Sequence, residues 1–82
     1  MMSQSQLVWR CRRGVRELDV LFTRFLEHEY QNLAETEQVD FQRLLEVQDP
    51  IIMDWLFAKS CSEDDGLQLI VGRLQALSKT IS

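Results

Sequence analysis

Apolar residues recur along this chain at helical intervals, and no segment alternates polar and apolar positions long enough to make a strand. The clearest run is Leu18, Leu21, Phe22, Phe25 and Leu26, spaced as one continuous stripe on a helix. Glu17 and Asp19 stand at its start, where the positive end of the helix dipole favours acids, and Tyr30 and Leu33 close it. Ahead of it, a weaker pattern over about residues 4–12 turns Leu7, Val8 and Cys11 inward and is interrupted at Arg13 and Gly14. A third helix over about residues 35–46 has Phe41, Leu44 and Leu45 on its inner face, with Thr36 and Asn32 as alternative caps. Asp49 and Pro50 then signal a fourth start. Asp accepts from the orphan N–H groups and Pro is tolerated at the first helical position. Ile51, Ile52, Trp55 and Leu56 form its buried side.

The run Ser62, Glu63, Asp64, Asp65 has the form of a capping box with Ser62 as the cap. Leu67, Ile70, Val71, Leu74 and Leu77 continue at helical spacing as a fifth helix. Gly66 and Gly72 weaken that helix by about 1 kcal/mol each relative to Ala. One Pro and three Gly leave few turns for a many-stranded fold. The expectation is an all-α protein, one domain over residues 1–82, built as a small compact bundle of about five short helices with residues 1–6 and 79–82 flexible.

Charge adds an asymmetry to this picture. The net charge of −4 divides into +4 over residues 1–16, which contain Arg10, Arg12, Arg13 and Arg16 and no acid, and −8 over residues 17–82. The cluster reads either as a solvated lead-in or as a basic edge for an acidic or anionic partner. The acidic bulk argues against wrapping nucleic acid, whose phosphates it would repel.

Candidate chemistry is sparse. Cys11 and Cys61 form no CxxC or Cys/His ligand spacing, and the single His28 lacks the companions of a metal site. No apolar stretch approaches a membrane span, and the first residues lack the apolar core of a secretion signal. These features suggest a cytoplasmic protein with reduced thiols. A nucleotide site would want a GxGxxG after a strand or a P-loop, and neither occurs. An enzyme reading ranks last, for want of a nucleophile–base pair.

The informative segment runs from Arg12 to Asp19. A glycine between two helical patterns suits a tight reversal, because it tolerates positive φ. Guanidiniums flanking that turn project from an exposed corner and offer planar forks to carboxylates, phosphates or carbonyls. Glu17 and Asp19 follow directly, so both signs of charge sit together. The plainer alternative is a helix–helix corner in which Glu17 caps its own helix or pairs with Arg13. Trp9 and Trp55 are further candidates for partner anchors, with core packing favoured for Trp55 and Trp9 divided between the two roles.

The segments RRGVRELD, FLEHEY, LLEVQDP and DWL, in that order and spacing, resemble the SdhE family of bacterial FAD assembly factors over about residues 7–57. Val15 stands where Met is usual, Ala34 where a Ser cap is expected, and the match loosens after Leu56. The resemblance implies a small helical bundle that binds the flavoprotein subunit of succinate dehydrogenase, and also that of fumarate reductase, and promotes covalent attachment of FAD to a histidine of that subunit. It places the family's RGxxE surface on Arg13, Gly14 and Glu17, with Arg16 and Asp19 beside it. Glu27, His28, Glu29 and Tyr30 are carried over as a further partner-binding stretch. It also implies a chaperone-like monomer that is no enzyme and holds no cofactor stably, FAD belonging to the client. Two alternatives use the same Arg-rich corner: an antitoxin-like or regulatory protein-binding module, and a nucleic-acid-binding one.

Overall fold

Each helical pattern folds as a helix. The computed structural model describes residues 3–81, with α1 at Gln4–Arg10, α2 at Arg16–His28, a 3₁₀ turn at Tyr30–Asn32, α3 at Glu35–Leu44, α4 at Asp49–Leu56 and α5 at Asp65–Ile81. The all-α expectation holds. Residues 4–6 form the first turn of α1 and residues 79–81 the last of α5; Met1, Met2 and Ser82 lie outside the described residues.

All five stripe residues of α2 are buried, and α5 packs across α2, α3 and α4. Phe41 of α3 sits at the centre of the core, fully buried. Its ring stacks on Phe25 at 4.9 Å between centroids and meets Phe22 edge-on at 5.9 Å. Tyr30 tilts against the same ring at 5.5 Å, and its hydroxyl accepts a hydrogen bond from the buried Gln42 amide at 2.7 Å. Leu7 and Cys11 bring α1 onto this core, whereas Val8, expected to face inward, is half exposed. Ile51 likewise turns out to solvent, with Ile52 fully buried in its place and Met53, Trp55 and Leu56 packed at the margin.

The helix starts are where the structure departs most from expectation. Ser3 caps α1 in a reciprocal box with Gln6. Neither Thr36 nor Asn32 caps α3: Ala34 holds that position, and Glu37 reaches back to accept its N–H at 3.0 Å. The α4 cap position is Gln48, which puts Asp49 and Pro50 inside the first turn. Asp64, not Ser62, caps α5, its carboxylate accepting the Leu67 N–H at 3.1 Å. Ser62 instead supports the cap, its hydroxyl accepting the Asp64 N–H. Ion pairs of Arg73 with Glu37 and of Arg43 with Asp64 then tie α5 and its lead-in to α3, with Arg43 also held by Asp40 within α3. The Arg43 hydrogen bonds, with the Leu67 N–H, hold the Asp64 carboxyl below its ordinary range.

Candidate functional site

Residues 11–15 carry the chain from α1 into α2, and Arg13 fixes the shape of that corner. Its Nε donates to Asp49 Oδ1 at 2.8 Å. Nη1 donates to the carbonyls of Leu45 at 2.7 Å and Arg10 at 3.1 Å, and Nη2 to that of Val47 at 2.8 Å. Arg10 ends α1 and Leu45 ends α3, so one guanidinium satisfies carbonyls that two helices leave orphaned. It also lies 5.6 Å from the Phe22 ring centroid. With its side chain only 12% exposed, Arg13 is a clamp between the corner and the loop joining α3 to α4. For Arg13 this corrects the expectation that the flanking guanidiniums project, whereas Arg12 and Arg16 are exposed; it also explains why Asp49 does not cap α4.

Gly14 follows the clamp and is exposed. None of the described glycines has a positive φ, so the reversal does not depend on a left-handed glycine as the sequence suggested. A Cβ built on Gly14 would meet nothing within 4 Å. The fold therefore does not require a glycine here, and the backbone stands open to approach. Arg16 and Glu17 occupy the first turn of α2, both exposed, and neither forms a hydrogen bond or ion pair with another described side chain. Asp19 is half-buried and faces Arg12 at 3.6 Å. Glu17 thus neither caps its own helix nor pairs with Arg13.

Two grooves flank this corner. One, of about 1080 Å³, is open; Trp9, Arg10, Arg12 and Gly14 line one side and Glu46 and Pro50 the other. The second, of about 410 Å³, is mainly apolar, with Val20, Leu21, Met53 and Phe57 in its lining beside Arg16 and Glu17. Sequence reasoning passed over Val20 and Phe57, which are 40% and 65% exposed. The available signal was that Val20 falls off the α2 stripe and Phe57 follows the end of α4.

The other predicted stretch lies elsewhere. Glu27, His28 and Glu29 are exposed at the far end of α2, roughly 16 Å along the helix axis from Arg16 and Glu17 at about 1.5 Å per residue. Glu17 and His28 are eleven residues apart, which puts them within about 20° of one helix face. Tyr30 is not on that face: it is turned into the core. The structure therefore joins Gly14, Arg16 and Glu17 in one corner, extends a charged face from it along α2, and assigns Arg13 and Tyr30 to holding the shape.

The chemistry available at the corner is recognition by charge, hydrogen bonds and close backbone approach. Burial pushes the Cys11 thiol up to about 12, against the opposing influence of Arg13, so this thiol is not poised as a nucleophile. Among the described residues no group of His, Cys, Asp and Glu is placed to hold a metal ion, and no helix is long and apolar enough to cross a membrane.

Known proteins match this pattern along nearly the whole chain. The family described as flavinator of succinate dehydrogenase matches residues 5–78. FAD assembly factor SdhE of Coxiella burnetii is 35% identical over 77 residues, covering 94% of this chain and 94% of its own length. The proteins of the same name from a Serratia species and from Yersinia pseudotuberculosis are 36% and 38% identical over 94% of this chain and 88% of theirs. On that evidence the chain belongs to the succinate dehydrogenase flavinator family, the FAD assembly factors.

Proposed function

We propose that the chain docks through the Gly14, Arg16 and Glu17 corner on the flavoprotein subunit of succinate dehydrogenase, and on that of fumarate reductase as a second client. Docking stabilises the conformation in which the client's own groups surround a seated FAD and the covalent bond to its histidine forms. The chain acts as a cytoplasmic monomer, performs no chemistry itself and retains no FAD. A partner that prefers one conformation shifts its population only by the difference in affinity, about tenfold for each 1.4 kcal/mol. A small recognition surface is enough for that, and no enclosed site is needed.

The observation that carries this reading is the division of labour at the corner. Arg13 is committed to the fold, while its neighbours Gly14, Arg16 and Glu17 are exposed and make no hydrogen bond or ion pair with another described side chain. In the docked state Gly14 admits client backbone, Arg16 meets acidic groups or carbonyls, and Glu17 meets a client Arg or Lys. His28, on the face of Glu17, extends the same contact along α2 with Glu27 and Glu29 beside it, and Asp19, on another face of the helix, takes part next to Arg12.

The test is binding of the isolated flavoprotein subunit by Gly14→Trp and Glu17→Ala variants. Both should keep wild-type helicity and thermal midpoint while losing at least tenfold in affinity, the scale of an interface hot spot. A Gly14→Trp variant that binds as tightly as wild type would show that docking occurs elsewhere. A variant that unfolds would show that Gly14 serves the fold.

A further inference from the structure

The Trp9 side chain takes no part in the core. It is 77% exposed, the most exposed of the chain's large apolar side chains among the described residues. It lies on the α1 face with Ser5, Gln6 and Arg10, along the open groove whose far wall is the α3–α4 loop. Leaving an indole in water forgoes the burial energy that so large an apolar surface would otherwise gain. Trp and Arg are the residues most enriched where binding energy concentrates.

The charges around it specify the partner. Arg10 has no acidic partner among the described side chains, and Arg12 has only the 3.6 Å approach to Asp19 with its side chain 68% exposed. Asp49, across the groove, is already held by Arg13, which leaves Glu46 as the opposing acid. This edge belongs to the acid-free first 16 residues of a chain that is otherwise strongly acidic. An acidic surface is repelled by most of the molecule and attracted here.

We infer that Trp9 is a docking anchor, inserted into an apolar pocket of the client flavoprotein subunit whose rim is acidic and engages Arg10 and Arg12. The inference rests on the docking reading above and adds a second contact, on the α1 side of Gly14. The Arg13 clamp fixes α1 against the α3–α4 loop, so anchor and corner are presented at a set separation.

The experiment uses the full chain with Trp55→Phe, labelled with 5-fluorotryptophan so that Trp9 gives the single ¹⁹F resonance, and an unlabelled flavoprotein subunit. Adding the subunit should shift and broaden that resonance. Trp9→Ala should weaken binding about tenfold or more with an unchanged circular dichroism spectrum, and Trp9→Phe should lose less. Arg10→Gln with Arg12→Gln should flatten the salt dependence of binding.

If the chain binds the subunit while the Trp9 resonance stays put and Trp9→Ala binds normally, the anchor is refuted and the docking reading survives. If the wild-type chain does not bind, both fall. A shift produced by single-stranded oligonucleotide but not by the subunit overturns the inference in favour of nucleic acid. A shift on concentrating the chain alone, with doubled mass in sedimentation, overturns it in favour of a second copy.

Discussion

Removing the Arg13 guanidinium should damage the fold before it damages any contact. Arg13→Ala strips the partner from Asp49, itself only 20% exposed, and leaves the Leu45 and Val47 carbonyls without their donor. Breaking a fully buried ion pair costs about 3–5 kcal/mol. Water can reach this pair from the open groove, so the cost should fall to about 2–4 kcal/mol, including about 0.5–1 kcal/mol from the contact with Phe22. A domain of this size has roughly 4–12 kcal/mol in total. The thermal midpoint should therefore drop by about 8–32 °C, at about 4–8 °C per kcal/mol.

The assay is urea and thermal unfolding followed by circular dichroism, with Asp49→Asn and the double variant completing a cycle. Coupling of about 1–3 kcal/mol is expected between the two positions. Arg13→Lys should recover only part of the loss, because an ammonium lacks the fork that meets Asp49 and three carbonyls together. Arg13→Ala within 0.5 kcal/mol of wild type, the ~0.5 kcal/mol range of surface substitutions, would refute the clamp. If the prediction holds, loss of function in an Arg13 variant says nothing about client contact unless folding is measured beside it.

Three further outcomes follow from the same structure. In α5, Gly72→Ala should stabilise the protein by about 0.5–1 kcal/mol, since its Cβ meets nothing. Gly66→Ala should gain clearly less than that, because a Cβ there falls 2.5 Å from Asp40 Oδ2 and the Asp40 carboxylate must turn aside at the expense of its ion pair with Arg43; thermal melts of both variants check the contrast. Ala58, at φ 60° just after α4, should give about 0.5–1 kcal/mol on replacement by Gly, raising the thermal midpoint by several degrees. Thiol titration at pH 8 should label exposed Cys61 promptly and Cys11 only as the protein opens. The unfolded Cys11 thiol ionises from about pH 8.5 whereas the folded one keeps its proton to about 12, so its contribution to stability is intact below that window and lost progressively as pH rises through it.

Much of the fold was legible because long stripes leave little choice of face. The α2 run and the α5 run each span several turns, and every residue placed inward on them is buried or packed at the core margin. Short helices gave less. In α1 three apolar residues stand in succession and in α4 they surround most of the circumference, so nothing local distinguished Val8 from Leu7 or Ile51 from Ile52. Caps failed for a different reason: an Asp before Pro reads as a cap unless a distant partner competes for it. Arg13 is that partner, 36 residues away in sequence. For the same reason the sequence did not reveal which arginine of the cluster the fold consumes and which it leaves outside. The motif located the corner, whereas Arg13's assignment to the fold and Tyr30's to the core depend on long-range packing.

We propose that this chain promotes covalent flavin attachment through the exposed Gly14, Arg16 and Glu17 corner. In-gel flavin fluorescence of the denatured succinate dehydrogenase flavoprotein tests it most directly, in cells lacking the chain and then supplied with wild type or a Gly14→Arg variant of confirmed helicity. Fluorescence should be lost on deletion, restored by wild type and not by the variant. Undiminished covalent flavin in cells without the chain would contradict it.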